Sequence, residues 1–206
     1  MTREGGLLLE AEGLAVRFGS VRALDGVSLT VRAGEVQALL GENGAGKSTL
    51  IKCLSGVVRP TGGRMVLCGR RIEPRSPHEA ERIGIATVFQ EVGLIPRLSV
   101  AENICLGREP GRRWLRGLVD WRAVRSRARA AMDRLGLGGL DVDRELGTCS
   151  VAVQQMVAIA RALDVRARVL ILDEPTSSLD RDECARLLGV IGHLRAQEMG
   201  IVFISH

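Results

Sequence analysis

At 206 residues, with 46% hydrophobic residues and a mean hydropathy of +0.12, the chain is long enough for one good core and a satellite subdomain, and it is too apolar for a disordered segment. No apolar run approaches the roughly 18–20 residues of a membrane-spanning helix, and the N-terminal residues do not read as a signal peptide, so a soluble, intracellular protein is expected unless a partner carries it to a membrane. The net charge is +5, and the five cysteines are scattered with no C-x-x-C pair, which suggests neither a zinc site nor a disulfide framework.

In chain order, residues 7–32 show short apolar runs broken by turns, Leu7–Leu9, Leu14–Val16 and Val27–Val31, which read as strands of an antiparallel sheet. Val36-Gln37-Ala38-Leu39-Leu40 reads as a buried parallel strand. Gly41-Glu42-Asn43-Gly44-Ala45-Gly46-Lys47-Ser48 follows, a full match to G-x-x-x-x-G-K-[ST], and Ser48–Leu54 can continue as a helix. Strand, glycine-rich loop and helix together cradle a polyphosphate: backbone N–H groups converge on it and the helix N-terminus adds partial positive charge. Lys47 would reach the β- and γ-phosphates and the Ser48 hydroxyl would ligate Mg²⁺. Of the 29 Lys and Arg residues only Lys47 and Lys52 are lysines. A chain that otherwise uses arginine still has the compact ammonium in its phosphate loop, where a planar guanidinium substitutes poorly.

Pro60–Gly63 reads as a turn, Arg64–Cys68 as a strand before the Gly69 turn, and Ile85–Phe89 as a strand able to join the central sheet. Residues 99–165 read as mainly helical, with loops at 107–118 and 136–148. Arginines cluster over 108–134, but Trp121, Val124, Ala128, Ala131, Met132 and Leu135 recur at helical spacing. A solvated helix face is therefore favoured over a nucleic-acid surface, and no aromatic residues interleave with the arginines to stack bases. Val169–Leu172 reads as a buried parallel strand ending in Asp173-Glu174, residues 181–197 as a helix, and Ile201–Ile204 as another buried strand. This alternation predicts a parallel α/β core. An acid at the carboxyl end of a strand beside a phosphate loop can hold Mg²⁺, and a second acid next to it can polarise the attacking water.

Taken in order, Gly41–Thr49, Gln90 after a strand, Leu170–Asp180 and Ile204-Ser205-His206 closely resemble the ATP-binding subunit of an ABC transporter over essentially the whole chain. The segments Phe89–Glu91 with Ile95-Pro96, Leu98–Ile104 with Leu106–Glu109, and Gln154–Ala160 are similar to its monosaccharide-importer branch, the ribose, xylose, galactose and galactofuranose type. The resemblance implies an α/β P-loop NTPase of ABC type: a parallel core sheet, an antiparallel β subdomain and a helical subdomain at approximately 97–165. It implies ATP and Mg²⁺ as cofactors and ATP hydrolysis coupled to sugar import. It also implies roles by position. Phe18 stacks on adenine, and Gly41, Glu42, Asn43, Gly44, Ala45, Gly46, Lys47, Ser48 and Thr49 hold the phosphates. Ser48, Gln90 and Asp173 attend the metal, Gln90 also touches the attacking water and the membrane domain, and Glu174 is the general base. His206 senses the γ-phosphate, and Asp180 belongs to the inter-subunit loop. The implied partners are a second ATP-binding domain of the same or a sister half, membrane permease subunits and, indirectly, a sugar-binding protein. That places the chain at the cytoplasmic face of the membrane, peripheral through the permease; nucleic acid is not expected.

Two features depart from the family. Where its signature is usually Leu-Ser-Gly-Gly-Gln, this chain has Cys149-Ser150-Val151-Ala152-Val153. Ser150 can still cap the following helix and is expected, with Ala152, to face the other subunit's ATP. Ala152 is expected to add a methyl where glycine lets the backbone approach phosphate, and Val153 to lack the usual glutamine's polar contacts. The sequence also stops at His206, which reads as a first ATP-binding half, 1–206 forming a single domain incomplete at its C-terminus. Two rival readings are a soluble ABC ATPase acting on ribosomes or DNA, and a catalytically weak nucleotide-binding fragment.

Overall fold

The computed structural model describes residues 6–42, 44–89, 93–111, 118–164 and 167–205. The chain forms two compact units. The first comprises 1–90, 165–175 and 195–206, the second 91–164 and 176–194.

In the first unit, β1 (Leu7–Phe18) and β2 (Val21–Arg32) form one long hairpin, extended by β4 (Gly62–Leu67) and β5 (Arg70–Ile72) into an antiparallel sheet of order β2-β1-β4-β5; β3 (Val36–Leu39) belongs to the other sheet. The apolar runs of 7–32 are therefore not separate short strands. Leu9 and Ala11 are buried, then Leu14 and Val16, and the alternation slips at Gly13, whose φ is 58°. The β1–β2 register shifts at the same place, so the glycine makes a bulge and not a turn.

The second sheet is parallel, with order β3-β8-β7-β6, formed with β6 (Ile85–Val88), β7 (Val169–Asp173) and β8 (Gly200–Ile204). β8 pairs with β3 on one side and with β7 on the other. Val169, Leu170, Ile171 and Leu172 are fully buried, as expected of a strand covered on both faces. α1 (Lys47–Leu54) buries Leu50, Ile51, Cys53 and Leu54 in a core shared with both sheets. Burial pushes the Cys53 thiol up to about 11, so it behaves as a small apolar side chain. α2 (Pro77–Ile83) starts at Ser76, which accepts from the Glu79 N–H.

The second unit is helical: α3 (Val100–Cys105), α4 (Trp121–Arg134), α5 (Val151–Leu163) and all but the end of α6 (Arg181–Ala196). Val124, Ala128, Ala131 and Met132 face inward on α4, whereas Trp121 at its start is 48% exposed. Several of the described arginines of this region have partners within the unit. Arg127 binds Asp164 at 2.6 Å and the Arg108 carbonyl at 3.0 Å. Arg134 donates to the Leu163 carbonyl, Arg108 to that of Arg161, and Arg125 to Asp143. Three guanidinium groups thus gather at the C-terminal end of α5, where the helix dipole favours cations. They are occupied within the unit.

Asn103 is fully buried and pins the segment before α3: its Oδ1 accepts from the Ile95 N–H, and its Nδ2 donates to the carbonyls of Ile95, Leu98 and Ser99. Ser99 and Glu102 form a reciprocal capping box beside it. Asn103→Leu keeps the branched side-chain shape and orphans these groups. It is expected to cost about 3 kcal/mol and lower Tm by roughly 6–12 °C in thermal unfolding followed by circular dichroism. A Tm within 2 °C of wild type would contradict this role.

Candidate nucleotide site

The loop of 41–48 leaves β3 at its carboxyl end and enters α1 at Lys47. Gly44 and Gly46 both have φ of 86°, left-handed values that turn successive N–H groups inward. An ideal Cβ on Gly46 would lie 2.8 Å from the Ala23 carbonyl oxygen and 2.9 Å from Leu24 Cδ2, so only glycine fits against the β1–β2 hairpin here. Gly46 caps α1 without a side-chain hydrogen bond, and no acidic residue occupies the first turn. The helix N-terminus therefore offers its N–H groups and dipole to an external anion. Lys47 Nζ donates to the carbonyls of Gly41 and, at 3.2 Å, Glu42, folding the ammonium over the loop.

Asp173 ends β7, and the next residue, Glu174, takes a left-handed φ of 50° while its N–H donates to the Ile204 carbonyl at 3.2 Å. A non-glycine residue with positive φ is a local strain, held here by the β8 strand end. A cavity of about 260 Å³ is lined by Glu42, Gly44–Thr49, Asp173 and Glu174, so loop and acids share one recess. Val21, Arg22 and Ala23 line it as well. Sequence reasoning missed these three, because their approach to the loop depends on hairpin packing against Gly46 and not on spacing in a motif. Arg22 donates to Asp25 at 2.7 Å, and that hydrogen bond raises the guanidinium's pKa further.

None of the other expected site residues that are described is among those lining this cavity. Phe18 is 53% exposed at the end of β1 and is not among the residues lining this cavity. Asn43, Gln90 and His206 lie outside the described residues. Ser150, Ala152 and Asp180 belong to the second unit. Ser150 caps α5, accepting from the Val153 N–H at 3.4 Å. Asp180 and Glu183 make reciprocal side-chain-to-backbone bonds at the start of α6.

Ala152 is only 1% exposed, and Met156 and Ile159 are buried on the same helix, so its methyl packs inside the unit. Val153 lines an apolar recess with Met132, Leu137, Leu140 and Met156, where it contributes packing.

No helix among the described residues is long and apolar enough to cross a membrane, and no cluster of three or more His, Cys, Asp or Glu there could hold a metal on its own.

Comparison with known proteins agrees with this geometry. The model of the ABC transporter family matches residues 24–177. The chain is 51% identical over 194 residues to the ribose import ATP-binding protein RbsA of Chromobacterium violaceum, covering 94% of this chain and 38% of that protein. It is 47% identical over 199 residues to the galactofuranose transporter ATP-binding protein YtfR of Escherichia coli K12, covering 97% and 39%. The chain thus spans less than two fifths of the length of these curated relatives. A nucleotide-free ATP-binding cassette from an ABC transporter superposes with a TM-score of 0.84 at 28% identity, over 98% of this chain and 82% of that one. An ABC-transporter cassette solved in its ADP conformation gives 0.82 at 28% identity, over the same shares. The family match runs through both the phosphate loop and the acidic strand end that line the cavity, and the chain belongs to the ABC transporter family.

Proposed function

We propose that this chain binds Mg-ATP in the cavity at the phosphate loop and hydrolyses it to energise import of a monosaccharide. The observation that carries the reading is the convergence of the Lys47 ammonium, the free first turn of α1 and the Asp173-Glu174 pair on one recess. The names of the ribose and galactofuranose relatives support the sugar. Lys47 would move from the loop carbonyls to the β- and γ-phosphates, and the loop N–H groups would hold the rest of the chain. The donor set fits Mg²⁺: a hydroxyl from Ser48 and a carboxylate from Asp173 line the same cavity, and this ion binds through one or two carboxylates together with substrate phosphates. When bound, Mg²⁺ neutralises charge on the β- and γ-oxygens. Glu174 would accept a proton from the attacking water. Phe18, Asn43, Gln90 and His206 are assigned to adenine, phosphate, metal and γ-phosphate contacts on the resemblance alone.

In this reading the partner is a second ATP-binding domain. Ser150 and Asp180 of each domain would face the nucleotide held by the other. Permease subunits would hold the pair at the cytoplasmic face of the membrane, and a sugar-binding protein would deliver the substrate from outside.

Three outcomes test this. Lys47→Ala is expected to weaken Mg-ATP binding by roughly 1.5–3 kcal/mol, about 10- to 150-fold in Kd by calorimetry. Equal affinity in folded wild type and variant would remove Lys47 from the site. Glu174→Gln, assayed by phosphate release with the second domain and permease present, is expected to retain ATP binding and lose about 100-fold or more in kcat. An unchanged rate would assign the base elsewhere. Ala152→Gly removes a buried methyl from a helix, so it is expected to destabilise by about 1 kcal/mol without raising ATPase turnover. A rise in kcat at saturating ATP would show instead that the methyl obstructs the partner's phosphate.

A further inference from the structure

β2 begins at the lip of the phosphate cavity. The closeness of the Ala23 carbonyl to Gly46 anchors this end of the strand against the phosphate loop, and Arg22 precedes it as a lining residue. The charges that face the cavity are unbalanced. Glu42, Asp173 and Glu174 contribute three carboxylates, against two cations, Lys47 and Arg22. A phosphate chain adds further negative charge, so the second cation matters to how that charge is met.

Arg22 is not committed to a structural task. Its side chain is 57% exposed and pairs with Asp25, itself 68% exposed, at 2.7 Å. An ion pair this open to water gains little, and a multiply charged phosphate chain competes well for the guanidinium. The planar fork of arginine also suits phosphate oxygens in a way that a single carboxylate contact does not exhaust.

We propose that Arg22 is a nucleotide-binding residue: on binding, its guanidinium leaves Asp25 and contacts the phosphate chain of a nucleoside triphosphate, and Asp25 holds it in waiting at the cavity mouth. This rests on reading the cavity as the ATP site. The device adds a second cation to the loop lysine, supplied from the antiparallel sheet of the same unit.

The test is competition binding of Mg-ATP and AMP to the 206-residue chain against a fluorescent ATP analogue, comparing wild type with Arg22→Gln, Asp25→Asn and Lys47→Ala. Both hairpin side chains are exposed, so these variants leave the core untouched. Arg22→Gln is expected to weaken Mg-ATP about five-fold at low salt, with a smaller loss for AMP and a smaller loss at high salt. Asp25→Asn is expected to tighten Mg-ATP about two-fold by releasing the guanidinium. If Arg22→Gln leaves Mg-ATP affinity unchanged while Lys47→Ala lowers it, the nucleotide reading stands and the role of Arg22 is overturned. An equal loss for AMP and ATP overturns the assignment to the phosphate chain. An Asp25→Asn affinity equal to or below wild type overturns the holding role of Asp25. Failure of the folded wild type to bind ATP overturns both the proposal and the reading beneath it.

Discussion

The position of β8 between β3 and β7 is the constraint on which the rest of the first unit depends. Its pairing with both neighbours aligns three parallel strands, so β3 and β7 end on the same edge of the sheet. The phosphate loop leaves one of those ends and Asp173-Glu174 leaves the other. The same strand supplies the Ile204 carbonyl that accepts the Glu174 N–H and holds that residue in its left-handed conformation. Fully buried side chains on β7 and β8 make the arrangement costly to shear, since a core of this density feels the loss of single methylenes. The chemistry at the edge is thus fixed by packing inside the sheet.

Backbone conformation completes the site from the other side. Gly46 admits the hairpin carbonyl of Ala23 where any side chain would collide. That approach makes the antiparallel sheet a wall of the cavity and brings Arg22 to its mouth. A larger cavity of about 420 Å³ lies among residues 56–65 and 72–75 of the same unit, away from the loop. Size alone would choose the wrong recess; what marks the smaller one is a helix N-terminus without a side-chain cap, an ammonium and the Asp173-Glu174 pair converging there.

Much of this was legible in the sequence because its signals are local. The phosphate loop, the apolar run before Asp173 and the helical period of 121–135 each carry their physics within about a dozen residues. Less legible were features that depend on partners distant in the chain. The bulge at Gly13 looked like a turn, because a glycine between apolar runs gives the same pattern in either case. The burial of Ala152 was not legible either, since it follows from how α5 packs. Asn103 gave no sign at all: an ordinary amide within a helix acquires its role only when the carbonyls of Ile95, Leu98 and Ser99 are brought around it. Arg108, Arg127 and Arg134 likewise find their partners only with the end of α5 beside them.

The central claim is that one recess, formed by the phosphate loop, the end of β7 and the start of β2, receives the nucleotide. The most direct measurement is a titration of the isotope-labelled chain with Mg-ATP, followed residue by residue through backbone amide chemical shifts. The account predicts that the largest shifts fall on Gly44–Thr49, on Asp173 and Glu174, and on Val21–Ala23. Shifts concentrated on the 56–75 cavity instead, with those three segments unmoved, would contradict it.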